Sequence, residues 1–163
     1  MIYFLSLGSN LGNRDKNLAR AVRLLGESGV EILAASSIYL TEPVDKADQP
    51  WFANQVLEVR SSLDPLSLLR LAKSIEKKMK RVPTVAKGPR TIDIDILLAG
   101  DSVLDTPDLV IPHPRLAQRN FVLVPFGEIA PEIRHPILGR TIRDLASSSS
   151  DPARVIARKR KRT

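Results

Sequence analysis

Apolar and polar positions change rhythm several times along the chain, and each rhythm predicts an element. Residues 1–7 are a short run of aromatic and branched side chains ended by Gly8-Ser9-Asn10, the pattern of a buried strand entering a turn. Asn13 then offers an N-cap to a helix whose Leu18, Ala21, Val22 and Leu25 recur at i, i+3, i+4 and i+7, with Gly26 and Gly29 marking its end. Residues 30–40 and 52–61 are rich in Val, Ile and aromatics and read as two strands. The loop between them carries Pro43, acids and Pro50, and is expected to be irregular and exposed.

Asp64-Pro65 is a second helix start, with proline at the first helical position and Leu68, Ala72, Ile75 and Met79 on one face. That helix is expected to reach about Arg81, followed by a loop over residues 82–89. Residues 90–99 then alternate strictly: Ile92, Ile94, Ile96 and Leu98 face one way, and Thr91, Asp93, Asp95 and Leu97 the other. Prolines recur from position 107 to 136, so the remainder is expected as short pieces with many turns. The order strand, helix, strand, strand, helix, strand suits an α+β, ferredoxin-like sandwich. Its mainly antiparallel sheet carries helices packed on one face, and an irregular C-terminal extension follows.

Composition narrows the chemistry. The 163 residues are 43% apolar and 26% charged, which suits one domain. Absence of cysteine excludes disulfide frameworks, thiolate zinc sites and cysteine nucleophiles, and fits a reducing compartment. Any metal must be held by oxygen or by the two histidines. No stretch approaches the ~20 apolar residues of a membrane span, and the opening lacks the form of a signal peptide, so a cytoplasmic protein with no membrane partner is expected. The net charge of +7 ordinarily suggests a polyanion partner, but +5 of it falls in residues 151–163. The division expected is therefore a domain over 1–146 and a basic, unstructured tail over 147–163. The tail makes at most weak, salt-sensitive polyanion contact, removable by deleting 151–163.

Candidate chemistry concentrates in Gly88-Pro89-Arg90-Thr91-Ile92-Asp93-Ile94-Asp95-Ile96-Leu97. In a strand, Asp93 and Asp95 share a face about 7 Å apart. Their mutual repulsion is about 2 kcal/mol at an effective dielectric near 20, and a divalent cation reverses its sign. Paired carboxylates completed by substrate phosphates are a common way to hold Mg²⁺. On the pair alone, a solvated face neutralised by Arg90 or Lys87 is the commoner arrangement. Arg81, Arg90, His113 and Arg119 shift that balance, because arginine forks suit phosphate oxygens and several cations with Mg²⁺ compose a phosphoryl-transfer site. No GxxxxGK[ST] or GxGxxG loop is present. Trp51, Phe52 and Phe121 are candidates to stack on a flat heterocycle or to fill the core, and Asn54 shares the strand face of Phe52. An RNA-binding module of similar fold is the alternative, but it needs aromatics on the central strand where IDIDI stands, so no specific nucleic acid is expected.

The ordered set GSNLG at 8–12, SSIYLTEPV at 36–44, QPWFAN at 49–54, GPRTIDIDILL at 88–98 and IPHPRLAQRNFVLVP at 111–125 resembles the 6-hydroxymethyl-7,8-dihydropterin pyrophosphokinase family of folate biosynthesis. The resemblance implies an ATP-dependent diphosphokinase that moves the β,γ-diphosphate of ATP to the pterin hydroxymethyl group and releases AMP. It also implies two Mg²⁺ ions, with Asp93 and Asp95 as ligands of both. Arg81 and Arg90 would grip the transferred diphosphate, and His113 and Arg119 the ATP phosphates. Leu69, Lys73, Glu76, Ile96, Leu109 and Val110 would hold the nucleotide. The pterin would lie between Phe52 and Phe121, its polar edge met by Asn54, Asp93 and the backbone of Thr41, Pro43 and Val44. Lys87, Pro83 and Pro114 depart from the family pattern, as does the basic tail.

Overall fold

The structure, a computed structural model, describes residues 1–43, 48–79 and 91–158. The main sheet is built from β1 (Ile2–Ser9), β2 (Glu31–Ala35), β3 (Tyr39–Thr41), β4 (Phe52–Arg60), β5 (Asp93–Ala99) and, after the short pair β6 (Leu104–Asp105) and β7 (Val110–Ile111), β8 (Val155–Ala157). Its order is β5-β1-β4-β3-β8, with β2 also on β4, and every pairing is antiparallel. Among the described residues four α-helices accompany it: α1 (Arg14–Glu27), α2 (Pro65–Lys78), α3 (Asn120–Ile129) and α4 (Ile142–Ser147). An α+β fold with helices packed on an antiparallel sheet is thus observed.

Strand parity divides the core in two. Tyr3, Leu5 and Leu7 of β1, Ala53, Leu57 and Val59 of β4, and Ile94 and Ile96 of β5 pack against α1 and α2. The opposite face puts Phe4, Val56, Leu97 and Leu98 against Val122, Leu123 and Phe126 of α3 and Ile142 and Leu145 of α4. Phe4 and Phe126 stack with ring centres 4.6 Å apart. The helices therefore lie on both faces rather than one, because the proline-rich stretch supplies α3, which runs through Pro125, and α4.

Local signals act as anticipated in several places. The Asn13 side chain accepts the Lys16 N–H and caps α1, and Pro65 opens α2. Four details differ. The strand expected over 30–40 is two strands, because Ser36 breaks the run: its Oγ accepts the Val56 N–H at 2.9 Å and its own N–H donates to the Val56 carbonyl at 2.9 Å. Helix α2 ends at Lys78 with Met79 as C-cap, short of the expected Arg81, which lies outside the described residues. The alternation of β5 fails at Leu97, where a bulge opposite Phe4 and Leu5 sends both Leu97 and Leu98 to the α3 face. Lastly, the stretch from Asp151 to Arg158, expected to be unstructured, joins the sheet through β8, because β3 offers it an open edge. Among the described residues no helix is long and apolar enough to cross a membrane.

Candidate active site

The face of the sheet that carries α3 is apolar only at one end. At the other end, antiparallel register sets Asp93, Gly8, Asn54 and Tyr39 in one row, and Asp95, Ser6 and Val56 in the next. Phe52 and Thr41 pair in the adjacent row. Period-two alternation thus brings Asp93, Asp95, Asn54, Thr41 and Phe52, all expected site residues, onto one face. Asn54 is buried and its Nδ2 donates to Thr41 Oγ1, so each fixes the other. Gly8, read from sequence as part of a turn, is instead a strand residue between Asp93 and Asn54. A Cβ there would stand 2.7 Å from Asn54 Oδ1 and 3.5 Å from Phe52, so glycine lets the Asn54 amide lie close over β1.

Among the described residues, acids crowd this end of the face. Burial pushes the Asp95 carboxyl up to about 6, and Asp93 and Glu76 push the same way, while Lys73 and Arg119 oppose them. A carboxylate held back by burial and by neighbouring acids fits a divalent cation, which would add positive charge beside it. Among the described residues no group of three or more His, Asp or Glu forms a complete metal cage. Two carboxylates fit Mg²⁺ nonetheless, since that ion keeps water and phosphate in its octahedron.

The bulge also places His113. Leu97 is the extra residue in β5, and its carbonyl accepts the His113 N–H at 3.0 Å. His113 Nδ1 accepts the Arg115 N–H at 3.2 Å, which leaves the ring proton on Nε2 as a donor. Burial first, then Arg119 and Arg115, lower its pKa from the ordinary value against a smaller opposing pull from Asp93, so the imidazole is neutral at pH 7. Arg119 lies over the Phe121 ring, 5.4 Å from its centre, at the start of α3. His113 and Arg119, with Phe121 under the Arg119 guanidinium, therefore border the aspartate face.

The remaining expected residues occupy the outer edge of β5. Leu69, Lys73 and Glu76 follow one side of α2, which packs beside β5. Glu76 is buried, its Oε2 accepts the Ile94 N–H at 2.9 Å, and Oε1 stands 3.5 Å from Lys73 Nζ. The acid thus satisfies a donor on the side of β5 where no strand pairs among the described residues, a role the sequence did not reveal. Ile96 and Leu109 point into the core with α1 and α2, away from the aspartates, and Val110 is exposed on β7. Ile96 shares the parity of Ile94, so its backbone, not its side chain, faces that outer edge. Arg81, Arg90 and Val44, with Lys87 and Pro83, lie outside the described residues.

The 7,8-dihydro-6-hydroxymethylpterin-pyrophosphokinase (HPPK) family model matches residues 4–131. The 2-amino-4-hydroxy-6-hydroxymethyldihydropteridine pyrophosphokinase of Bacillus subtilis is 43% identical over 133 residues, 81% of this chain and 80% of its own. That of Methylorubrum extorquens is 40% identical over 151 residues, 92% of this chain and 94% of its own. The folic acid synthesis protein fol1 of Pneumocystis carinii is 42% identical over 85% of this chain, which spans only 19% of that longer protein. A crystal structure of wild-type Plasmodium falciparum HPPK-DHPS with pteroate shares the fold, with a TM-score of 0.71 and 19% identity over 90% of this chain and 44% of that one. Motif order, extent of match and fold agree, and the chain belongs to the HPPK family of pyrophosphokinases.

Proposed function

We propose that this chain transfers the β,γ-diphosphate of ATP to the hydroxymethyl group of 6-hydroxymethyl-7,8-dihydropterin and releases AMP. The observation that carries the reading is the pair Asp93 and Asp95 on one sheet face, with Asp93 in register with Gly8 and Asn54. Asp93 and Asp95 would hold two Mg²⁺ ions, which supply charge neutralisation and orientation of the phosphates. Arg119, with Arg81 and Arg90 by resemblance, contributes positive charge to the phosphates, and the His113 Nε2–H donates a hydrogen bond there. The pterin stacks between Phe52 and Phe121, and the Asn54 amide, Asp93 and the backbone of Thr41, Pro43 and Val44 meet its polar edge.

Leu69, Lys73, Ile96, Leu109 and Val110 hold the nucleotide along the outer edge of β5. Glu76 acts there through Lys73 and the Ile94 N–H. With both substrates placed, the pterin hydroxyl oxygen bonds to the β-phosphorus, its proton passes to solvent water, and the bond from that phosphorus to the AMP oxygen breaks, the electron pair leaving with AMP. What the residues contribute is alignment and charge stabilisation. A cytoplasmic location goes with an ATP-consuming, cysteine-free chain.

The test is product analysis of purified protein with ATP, Mg²⁺ and the reduced hydroxymethylpterin. AMP and the pterin diphosphate are expected in equal amounts. Folded protein that releases no AMP, or releases ADP instead, overturns the reading.

A further inference from the structure

Residues 151–158 are placed by more than their charge. β8 pairs with β3, with Tyr39 opposite Ala157, Leu40 opposite Ile156 and Thr41 opposite Val155, so the three residues of β3 are held from both sides. The pairing continues past the strand: the Glu42 N–H donates to the Arg154 carbonyl at 3.2 Å, and the Arg154 N–H to Glu42 Oε1 at 2.6 Å. The Arg154 guanidinium then closes the arrangement. Its Nε is 3.3 Å from the same Glu42 oxygen, and its central carbon is 5.1 Å from the centre of the Trp51 ring.

One side chain thus joins the residue that follows Thr41 to the residue that precedes Phe52. The segment is fastened at both ends. Asp151 Oδ2 accepts the Asn120 N–H at 2.8 Å at the start of α3. Arg158 pairs with Asp15 in the first turn of α1 and donates its N–H to the Ile38 carbonyl at 3.0 Å. Trp51 is further tied by its carbonyl, 2.7 Å from an Arg14 guanidinium nitrogen.

We infer that residues 151–158 are a strap whose Arg154 pins Glu42 to Trp51, the two residues that flank the paired Thr41 and Phe52, and so sets the affinity of the site for the pterin and not for ATP. The inference rests on the reading of Thr41, Phe52 and Asn54 as the pterin pocket. Arg154 touches no substrate in this account and is a positioning residue. It orders the two ends of the 42–51 loop before the ligand arrives, which lowers the entropy lost on binding. An exposed ion pair and a cation–π contact together correspond to about a fivefold change in affinity.

The test compares the KM for pterin and for ATP in the full chain and in Arg154→Gln, Arg154→Lys and Asn54→Ala. Trp51 is the only tryptophan, so acrylamide quenching of its fluorescence reports whether its cover is lost. Arg154→Gln is expected to raise the pterin KM about fivefold, leave kcat and the ATP KM within about twofold, and increase quenching. Arg154→Lys should recover part of the loss, since it keeps the positive charge beside Glu42. Should Arg154→Gln fail to fold, Trp51→Leu removes the ring while keeping Arg154, and the same KM split is expected. If Asn54→Ala weakens pterin but Arg154→Gln or Trp51→Leu does not, or if either weakens ATP equally, the strap inference alone is overturned. An unchanged pterin KM in Asn54→Ala overturns the pocket reading and the strap with it.

Discussion

The two faces of β5 differ by one residue in sequence and by nearly everything in physical role. Ile94 and Ile96 point toward α1 and α2 and are almost fully buried. Asp95, on the other side, is repelled by Asp93 and Glu76, and burial makes its charge harder still to hold. The first face contributes folding energy and the second detracts from it; under the proposed function that second face is where a cation and phosphates bind. Period-two alternation lets one strand do both, and the bulge at Leu97 marks where the charged half stops and the apolar packing of Leu97 and Leu98 on α3 begins.

If that division holds, substitutions on the two faces should separate activity from stability. The largest effect is expected for Asp95→Ala, a loss of turnover of at least about 100-fold in the AMP assay with the fold intact; residual activity near wild type would remove Asp95 from the site. On the opposite face, Leu5→Ala should lower unfolding free energy in urea by about 2–5 kcal/mol while turnover per folded molecule stays near wild type. Gly8→Ala probes the close approach of Asn54 to β1, because its Cβ would press on Asn54 Oδ1. A rise of about tenfold in pterin KM with a smaller change in melting temperature is expected, and an unaltered KM would show that the row from Asp93 to Asn54 is not a substrate surface. Glu76→Ala crosses the comparison by leaving the Ile94 N–H without its acceptor, and should destabilise by about 1–3 kcal/mol, with Glu76→Gln restoring most of the loss. The smallest effect belongs to the C-terminus. Removal of residues 159–163 should weaken salt-sensitive polyanion binding and leave turnover alone, whereas removing 151–158 as well would also take away β8.

What the sequence revealed follows from how local each cause is. The Asn13 cap, Pro65 at the start of α2 and the IDIDI alternation act within a few residues, and each was readable. The bulge was not, because it depends on the register of β5 against β1. Gly8 needed the position of Asn54 on a neighbouring strand, and the role of Glu76 needed the side of β5 where no strand pairs among the described residues. The tail misled for the same reason. Its composition is basic and polar, while β8 is only three residues long and owes its existence to the edge of β3 and to Glu42.

Under the proposed function the aspartate face is held at a cost in stability for the sake of a cation. Folded Asp95 keeps its proton up to about 6, against about 4 for an unfolded aspartate. Between those values the folded state binds more protons, so the metal-free protein should lose stability as pH rises through that window and stay lower above it. The direct measurement is the melting temperature of wild type and Asp95→Asn at pH 8, each with chelator and then with Mg²⁺ and ATP. The account predicts that Asp95→Asn melts higher in chelator, and that Mg²⁺ with ATP raises wild type but barely moves the variant. A wild type that is the more stable in chelator, or an equal rise in both proteins on adding Mg²⁺ and ATP, would contradict it.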